Sequence, residues 1–372
     1  MREILARSIP VLVLVVMALC IYYVARRLSW AFSWNFWWTL LGVALVMGMC
    51  FVGMFVMMRG HYTSGLSSVV SGVANIGIGV IMLLVCSLLV MEVVRLCVAI
   101  SPRLFGLCAV GLASVASLYS LWNAADTEVY HVDIEIENLE RPLRVAHLTD
   151  LHLGHYWGRG SVEKIVDMVE AESVDFVVIT GDLFDGRRWI DTDILEPFSR
   201  LEMPIYFVEG NHDQYSGPSE IKDMVEESGI VVMANEVAEF EGVQIVGLDY
   251  LVPDSRAKDT FHGSGTAMTM EEVLPTLGID TTRPSILLHH NPVGAEYAAA
   301  AGIDLYLAGH THAGQIFPAS LVASMMFEFN RGLHSYGEDM QVYVSQGTGT
   351  FGPPMRLGTD SELTILNLRA KQ

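Results

Sequence analysis

The fold is decided by residues 144–185, which read RVAHLTDLHLGHYWGRGSVEKIVDMVEAESVDFVVITGDLFD. Two apolar runs, Arg144–Asp150 and Asp175–Asp182, have the length and composition of buried strands. Between them, Ser161–Glu172 places apolar residues at helical spacing behind a serine suited to capping. A strand, a helix and a second strand in succession predict an α/β domain with a buried sheet.

The same alternation continues towards the C-terminus. Further apolar runs predict strands at Pro204–Asp213, Val243–Asp249, Ser285–Asn291 and Leu305–His312. Helical segments with acidic first turns are predicted at Ser219–Ser228 and Thr269–Leu277. In such folds, ligands gather where strands end and loops begin, so the strand ends are the place to look for chemistry.

The N-terminal third has a different character. A membrane-crossing helix needs roughly 20 mainly apolar residues. Four apolar stretches qualify: Ile9–Ala25, Phe36–Met58, Val69–Val94 and Leu104–Leu121. A cleaved signal peptide is the alternative for the first stretch, but no small-x-small cleavage site follows it. We therefore expect a membrane anchor over residues 1–125 and a separate domain over residues 126–372, in a multi-pass protein of the inner or plasma membrane.

Charge divides the chain at the same place. Residues 1–125 hold seven of the 22 basic residues but only two of the 42 acidic ones. The acidic second part disfavours nucleic-acid binding, and an anionic substrate there would depend on local positive charge such as metal ions. All five cysteines lie in the apolar part and show no zinc-site spacing. Basic residues flank the spans on both sides, so they do not decide which side the domain faces.

Five strand ends carry side chains that can bind metals. They are Asp150-Leu151-His152, Gly181-Asp182-Leu183-Phe184-Asp185, Gly210-Asn211-His212-Asp213, His289-His290-Asn291 and Gly309-His310-Thr311-His312. Hard cations favour oxygen ligands, whereas imidazole suits transition metals. Mixed Asp, Asn and His ligands therefore favour manganese, iron or zinc over calcium. The glycines that precede three of these motifs permit sharp turns and close backbone approach.

In this order, the five motifs resemble those of the calcineurin-like metallophosphoesterase superfamily, over about Arg144 to Leu368. The resemblance implies a four-layer α-β-β-α sandwich, here preceded by a four-helix transmembrane region. It also implies hydrolysis of phosphoester or pyrophosphate bonds by two divalent metal ions. Such a pair, about 4 Å apart, clamps the attacking and leaving oxygens and lowers the pKa of the water between them.

Carried over residue by residue, the resemblance assigns every ligand. Asp150, His152 and His312 would hold one metal, and Asp182 would bridge to the second. Asn211, His290 and His310 would complete the site of that second ion. His212 resembles the non-ligand histidine that hydrogen-bonds the phosphate or protonates the leaving group, and Asp213 would orient it. A third-ligand role for His212 is the less favoured alternative.

Several assignments stay open at this point. Neighbouring residues of a strand face opposite ways, so only one of His289 and His290 can be the ligand. We choose His290, which precedes Asn291-Pro292 as in the family. Asp185 either supports a ligand from behind or serves as a turn residue. Ala313 and Ser361 stand where the family more often has glycine and proline.

The substrate is less well defined by the sequence. His212 replaces the arginine of the soluble UDP-diacylglucosamine pyrophosphatases, which favours a membrane-associated branch that includes a second type of such enzyme. The apolar segment Ile316–Phe329 follows the last motif. It could admit acyl chains, dip into the membrane interface or pack on the domain's own core. We expect membrane lipids as partners and a lipid-linked phosphate as substrate. The alternatives are a UDP-diacylglucosamine pyrophosphatase-like enzyme of lipid A synthesis, a non-catalytic membrane sensor or scaffold and, more weakly, a transporter.

Overall fold

The protein was analysed as a computed structural model that describes residues 2–58, 65–185, 193–216, 218–250 and 268–371. The chain divides into two compact units, Met1–Trp122 and Asn123–Gln372. The predicted domain boundary after residue 125 stays a prediction.

Helices α1 to α4 make up the first unit and the first residues of the second. Their bounds are α1 Arg2–Phe32, α2 Phe36–Met58, α3 Gly65–Cys97 and α4 Pro102–Ala125. Within the described residues, each contains a segment long and apolar enough to cross a membrane: Leu14–Phe32, Phe36–Gly53, Gly72–Cys97 and Pro102–Ala125. At most 33% of each segment is buried, so most of these side chains are at least partly accessible, as lipid-facing residues would be. The predicted multi-pass membrane region is confirmed.

The second unit is built from strands and short helices. The strands are β1 Thr127–Ile136, β2 Leu143–Leu148, β3 Phe176–Thr180, β4 Ile205–Val208, β5 Val231–Val232, β6 Glu236–Phe240, β7 Val243–Gly247, β8 Ser285–Leu288, β9 Leu305–Ala308, β10 Gly332–Tyr336, β11 Met340–Val344 and β12 Ser361–Ala370. The helices are α5 Arg159–Glu172, α6 Asn211–Ser216, α7 Pro218–Glu227, α8 Met270–Val273, α9 Ala295–Ala300 and α10 Ala319–Met326. Short 3-10 turns occupy Glu196–Arg200, Leu274–Thr276 and His312–Gly314.

These strands form two six-stranded sheets, in the orders β1-β12-β2-β3-β4-β5 and β10-β11-β9-β8-β7-β6. The core between the sheets takes residues from both, among them Val178, Leu366, Ile286 and Leu307. On the outer face of the first sheet, α5 and α7 cover a second core, and on the outer face of the other, α8 and α9 cover a third. The layers therefore follow the expected α-β-β-α order, and the predicted fold class is confirmed.

The local predictions differ from the structure in three respects. The six predicted strands exist, but they end before the motifs: the strand predicted to reach Asp213 stops at Val208, and Asn211 begins α6. Strands β1, β5, β6 and β10 are additional; they lie at sheet edges and are only partly apolar or very short. Strand β11 beside β10 is additional as well, although most of it is buried. Strand β12 covers Glu362–Leu368, the final strand that the family resemblance implies. Helix α5 is preceded by Gly158, which makes no side-chain cap, so the predicted serine cap is wrong.

Candidate metal centre

One edge of the two sheets collects the predicted site residues. Strands β2, β3 and β4 run parallel in the first sheet, as do β8 and β9 in the second, so within each sheet their carboxyl ends meet at one edge. The loops beyond these five ends carry the predicted metal ligands: Asp150, His152, Asp182, Asn211, His290, His310 and His312. The structure brings six of these, the carboxylates and imidazoles, into two adjoining groups.

The first group contains Asp150, His152 and His312, all buried. The Nε2 atoms of His152 and His312 are 3.1 Å apart, and the Asp150 carboxylate lies 3.2 Å from His312 Nε2 and 4.0 Å from His152 Nε2. Two imidazole nitrogens and a carboxylate oxygen thus converge on one point. Such a convergence is the donor arrangement that a transition-metal ion requires.

The second group contains Asp182, His290 and His310. His290 Nε2 lies 3.2 Å from His310 Nδ1 and 3.2 Å from Asp182 Oδ2. The same Asp182 oxygen is 3.8 Å from His152 Nε2 in the first group. One carboxylate oxygen therefore faces both groups, which is the position that a bridging ligand between two ions would need.

Unsatisfied polar atoms show that these residues fit metal ions. Among the described residues, the buried Asn211 Oδ1 and Asp150 Oδ1 accept no hydrogen bond, although Asp150 Oδ1 lies 3.2 Å from His312 Nε2. Buried polar atoms in proteins normally find a partner, so an unsatisfied set within a cluster of acids and imidazoles indicates a ligand. The donor set of carboxylate, amide and imidazole suits manganese, iron or zinc.

The choice between the adjacent histidines follows from their contacts. His290 Nδ1 contacts the Thr180 carbonyl oxygen at 2.8 Å, and this holds the ring with Nε2 towards Asp182. His289 faces away and its Nδ1 lies 2.9 Å from the Asn291 carbonyl oxygen and 3.2 Å from the Tyr306 hydroxyl. Of the two, His290 is therefore the residue that the fold directs at the cluster.

The charged groups of the cluster shift the pKa values of one another. Burial lowers the pKa of His290, but the negative charge of Asp182 outweighs it and raises that pKa to about 9. Burial and the neighbouring His290 lower the pKa of His310 to about 4. Burial would raise the pKa of Asp182, yet His290 holds it well below its usual value. The buried carboxylates therefore stay ionised and call for positive charge, which metal ions would supply.

Asp213, which the resemblance assigns to orienting His212, binds backbone N–H groups in the structure. Asp213 accepts hydrogen bonds from the backbone N–H groups of Gly210 at 2.8 Å, Phe184 at 3.0 Å and Leu183 at 3.3 Å. Its carboxylate thus ties two ligand-bearing loops together, and burial raises its pKa to about 7. The reason is local: Asn211 starts α6, which turns the Asp213 side chain back towards Gly210.

Asp185 occupies the position expected of Asp213. Its Oδ1 lies 3.3 Å from His152 Nδ1 and 3.6 Å from His212 Nδ1. Of the two roles open for Asp185, the structure therefore favours support of a ligand from behind. The His212 ring stands beside that of His152, with centroids 4.7 Å apart, and 18% of its side chain is exposed. His212 is the histidine of this group that a substrate can reach.

Backbone strain is concentrated in the same loops. Asp150, His152, Asp182, His310 and His312 all adopt left-handed conformations, with φ between 46° and 71°. Each such non-glycine residue costs about 1–3 kcal/mol and persists where the surrounding structure enforces it, often at functional sites. The strain lets the chain turn sharply after each strand, so that alternate side chains of one motif face the cluster.

Two residues near the site were not found from the sequence. Arg356 is fully buried, and its Nη2 donates to the carbonyl oxygens of Gln346, Gly347 and Gly349 at 2.7–2.9 Å. That segment in turn bonds the Asp150 loop, since Gly349 N donates to Asp150 O at 2.9 Å. Phe351 is 51% exposed, with its ring centroid 5.2 Å from that of His212. Neither belongs to a recognisable motif, so no sequence pattern marks them.

The chain is similar in sequence to known proteins. A family model described as calcineurin-like phosphoesterase matches residues 143–314. A Campylobacter jejuni protein described as an uncharacterized metallophosphoesterase is 34% identical over 267 residues, which cover 70% of this chain and 68% of that protein. A Danio rerio relative, described as a transmembrane protein with metallophosphoesterase domain, is 35% identical over 69% of this chain and 61% of its own length. Among solved structures, a dimetal phosphatase from Danio rerio gives a TM-score of 0.37 at 15% identity, over 56% of this chain and 88% of that one.

Gly309, the glycine before His310, tests whether the backbone there must pack directly against Thr149 and Asp150. A Cβ at Gly309 would overlap Thr149 Oγ1 and Asp150 Oδ2. We expect Gly309→Ala to displace Asp150 and to lower turnover by about 100-fold, the loss typical of a misplaced reacting group. Gly160→Ala is the matched control, because nothing lies within 4 Å of that Cβ position. Equal turnover in the two variants would contradict the described packing.

Asp182, which lies between the two groups, provides a second test, of the shared negative charge. Asp182→Asn keeps the shape of the side chain but removes the charge that faces both His152 and His290. Loss of a residue behind a metal ligand already costs 10–100-fold, so we expect at least about 100-fold loss of metal affinity and of turnover. Asp339→Asn, on an exposed turn, should change neither. Metal content and circular dichroism of both variants separate loss of metal from loss of fold.

Proposed function

Because the chain belongs to the calcineurin-like metallophosphoesterase family, and is therefore a phosphoester hydrolase on a multi-pass membrane region, we propose that it acts on membrane-borne substrates. In this proposal a pair of divalent ions at the cluster serves hydrolysis of a phosphoester or pyrophosphate bond. The substrate carries its phosphate on a lipid or at the membrane surface. The observation that carries the proposal is the cluster itself, with the exposed Phe351 ring and the half-buried Phe327 ring beside it.

The proposed ligands follow the two groups. Asp150, His152 and His312 would hold one ion, and Asn211, His290 and His310 the other, with Asp182 shared. Two bound cations would supply charge that polarises the phosphoryl oxygens and lowers the pKa of an attacking water. Asn211 would add a ligand without cancelling that charge, because its amide is neutral. Manganese, iron and zinc are the ions that this donor set favours.

His212 is the proposed group that touches the substrate. It lies beside the His152 ring, and its backbone N–H donates to Asp182 Oδ1 at 2.8 Å, which fixes its place relative to the cluster. Burial lowers the pKa of its imidazole, while the charges of Asp182 and Asp185 act in the opposite direction. We assign it a hydrogen bond to the phosphate or proton donation to the leaving group. Asp185 takes the positioning role that the sequence attributed to Asp213.

Apolar side chains around the cluster support a lipid-linked substrate. The Phe351 ring lies against His212, and the Phe327 ring lies 5.8 Å, edge to face, from that of His310. Phe327 directly follows α10, whose Met325 and Met326 are 85% and 71% exposed. Exposed apolar groups of this kind beside a polar centre are typical of binding sites for amphiphiles. A phosphate at the cluster would have apolar surface beside it for the rest of the molecule.

A substrate panel tests the proposal. Full-length protein loaded with manganese should hydrolyse at least one of a set of lipid phosphates and lipid pyrophosphates presented in vesicles. Its kcat/KM for that lipid should exceed the value for a soluble phosphodiester by about tenfold or more, since apolar contacts of one or two methylenes already contribute that much. The His212→Ala variant serves as the inactive control.

The possible outcomes distinguish the lipid-linked substrate from hydrolysis in general, and hydrolysis from a non-catalytic role. Turnover of soluble diesters with no activity on any lipid phosphate would contradict the lipid-linked substrate and leave the hydrolase in place. Metal binding with no hydrolysis of any substrate would favour a sensor or scaffold instead.

A further inference from the structure

Helix α10 and the residue Phe317 before it carry an exposed apolar surface. The exposed fractions are 48% for Phe317, 55% for Leu321, 55% for Val322, 85% for Met325 and 71% for Met326. No charged residue occurs from Ile316 to Phe327, although the domain as a whole is strongly acidic. A surface of this kind on a soluble domain normally marks a contact with another molecule or with a membrane.

The sheet register places the end of α4 at the edge that carries the metal cluster. Strand β1 pairs in parallel with β12, with Thr127 opposite Ser361. Strand β12 pairs antiparallel with β2, with Thr364 opposite His147. The start of β1 therefore lies at the edge where β2 ends, about 10 Å away across two strand spacings. Only Asp126 separates β1 from α4, so the chain leaves its fourth candidate span at this edge.

Side-chain contacts within the second unit lead from that point to α10. Asn123 Nδ2, in the last turn of α4, donates to the carbonyl oxygens of Thr359 at 2.9 Å and Arg356 at 3.4 Å. Between these two, the carbonyl oxygen of Leu357 accepts a hydrogen bond from Phe317 N at 2.8 Å. The apolar surface thus begins beside the residues that bind the end of a membrane span.

We propose that α10 lies in the interfacial layer of the bilayer, with its exposed apolar face among the acyl chains. A short helix with apolar residues on its outer face binds such an interface through the area it buries there. Because the fourth candidate span ends at this edge of the domain, the proposal places the bilayer surface near α10. No further membrane anchor is then needed to bring α10 to the lipids. The apolar, uncharged surface matches acyl chains and offers no charged group for an acidic or basic partner.

This contact directs the metal cluster towards the membrane surface. The cluster lies at the same strand edge, and Phe327 joins the end of α10 to His310. A phosphate on a lipid headgroup would then reach the cluster while its acyl chains remain in the bilayer. This consequence rests on the proposed function, whereas the membrane contact of α10 does not.

Lipid photo-crosslinking tests the contact without any substrate. Full-length protein is reconstituted in phosphatidylcholine vesicles that include a phosphatidylcholine with a diazirine on its acyl chain. After irradiation, lipid adducts are located by peptide mass spectrometry. We expect adducts on α4, as the positive control, and on residues 317–326.

The turn at Asp339 is the internal negative control. Strand β1 has ten residues and so extends about 33 Å from its start at α4. At its far end, Lys371 N donates to Ile136 O, and Lys371 Nζ lies 3.9 Å from Asp339 Oδ1. This turn should therefore stay in water and carry no adduct.

A variant pair sharpens the result. The double change Met325→Asp and Met326→Asp should reduce adducts on α10 by about tenfold and leave those on α4 unchanged, because charged groups leave the acyl layer. Met268→Asp, a change of the same type at a 47% exposed methionine outside α10, should leave the α10 adducts unchanged.

Adducts on α4 together with none on α10 in the unmodified protein would overturn the proposal. The apolar face of α10 would then be covered by a second copy of the chain or by another protein instead of by lipid. That outcome would leave the hydrolase proposal intact, since no turnover is measured.

Discussion

Burial of Asp150 and Asp182 together is the constraint on which the rest of the structure depends. Both side chains are at most 4% exposed, and a buried unpaired carboxylate is strongly unfavourable. The imidazoles of His290 and His312 lie 3.2 Å from these acids, and this holds the pKa of each acid below its usual value. The strained loops, the close glycine contacts and the buried Arg356 all serve to keep these groups at these distances. A cluster held in this way is prepared to receive divalent ions.

The paired sheets make this arrangement possible for residues far apart in the chain. Asp182 follows β3 of the first sheet and His290 follows β8 of the second, so their 3.2 Å contact joins the two sheets at one edge. The core between the sheets fixes this edge, since it takes apolar side chains from both. Metal binding and stability of the sandwich are thereby coupled, because ions shared between the two groups would bind only the folded state. Residues 123–125, at the end of α4, lie at the same edge, because β1 begins two residues later and pairs in parallel with β12.

The sequence predicted the strands and the clustering of acidic and histidine side chains well where local pattern and chemistry agree. The continuous apolar run of β3 pointed to Asp182, two residues beyond its end. The order of the motifs pointed to the residues that the structure brings together. Strands such as β6 and β10 were missed because their burial is only partial and their composition is mixed. The backbone contacts of Asp213 were not foreseen, since they depend on the turn into α6, which strand periodicity does not reveal. Arg356 and Phe351 lie near the site because of contacts formed only in the folded chain. The residues next to them in the sequence therefore do not indicate that they lie there.

The central claim is that one cluster holds two ions that share Asp182. Electron paramagnetic resonance of the full-length protein after titration with manganese tests it most directly. The account predicts two manganese ions bound per chain and the spectrum of a magnetically coupled pair, which collapses to that of isolated ions when Asp182 is replaced by Asn. A single ion per chain with the six-line spectrum of isolated manganese in the unmodified protein would contradict it.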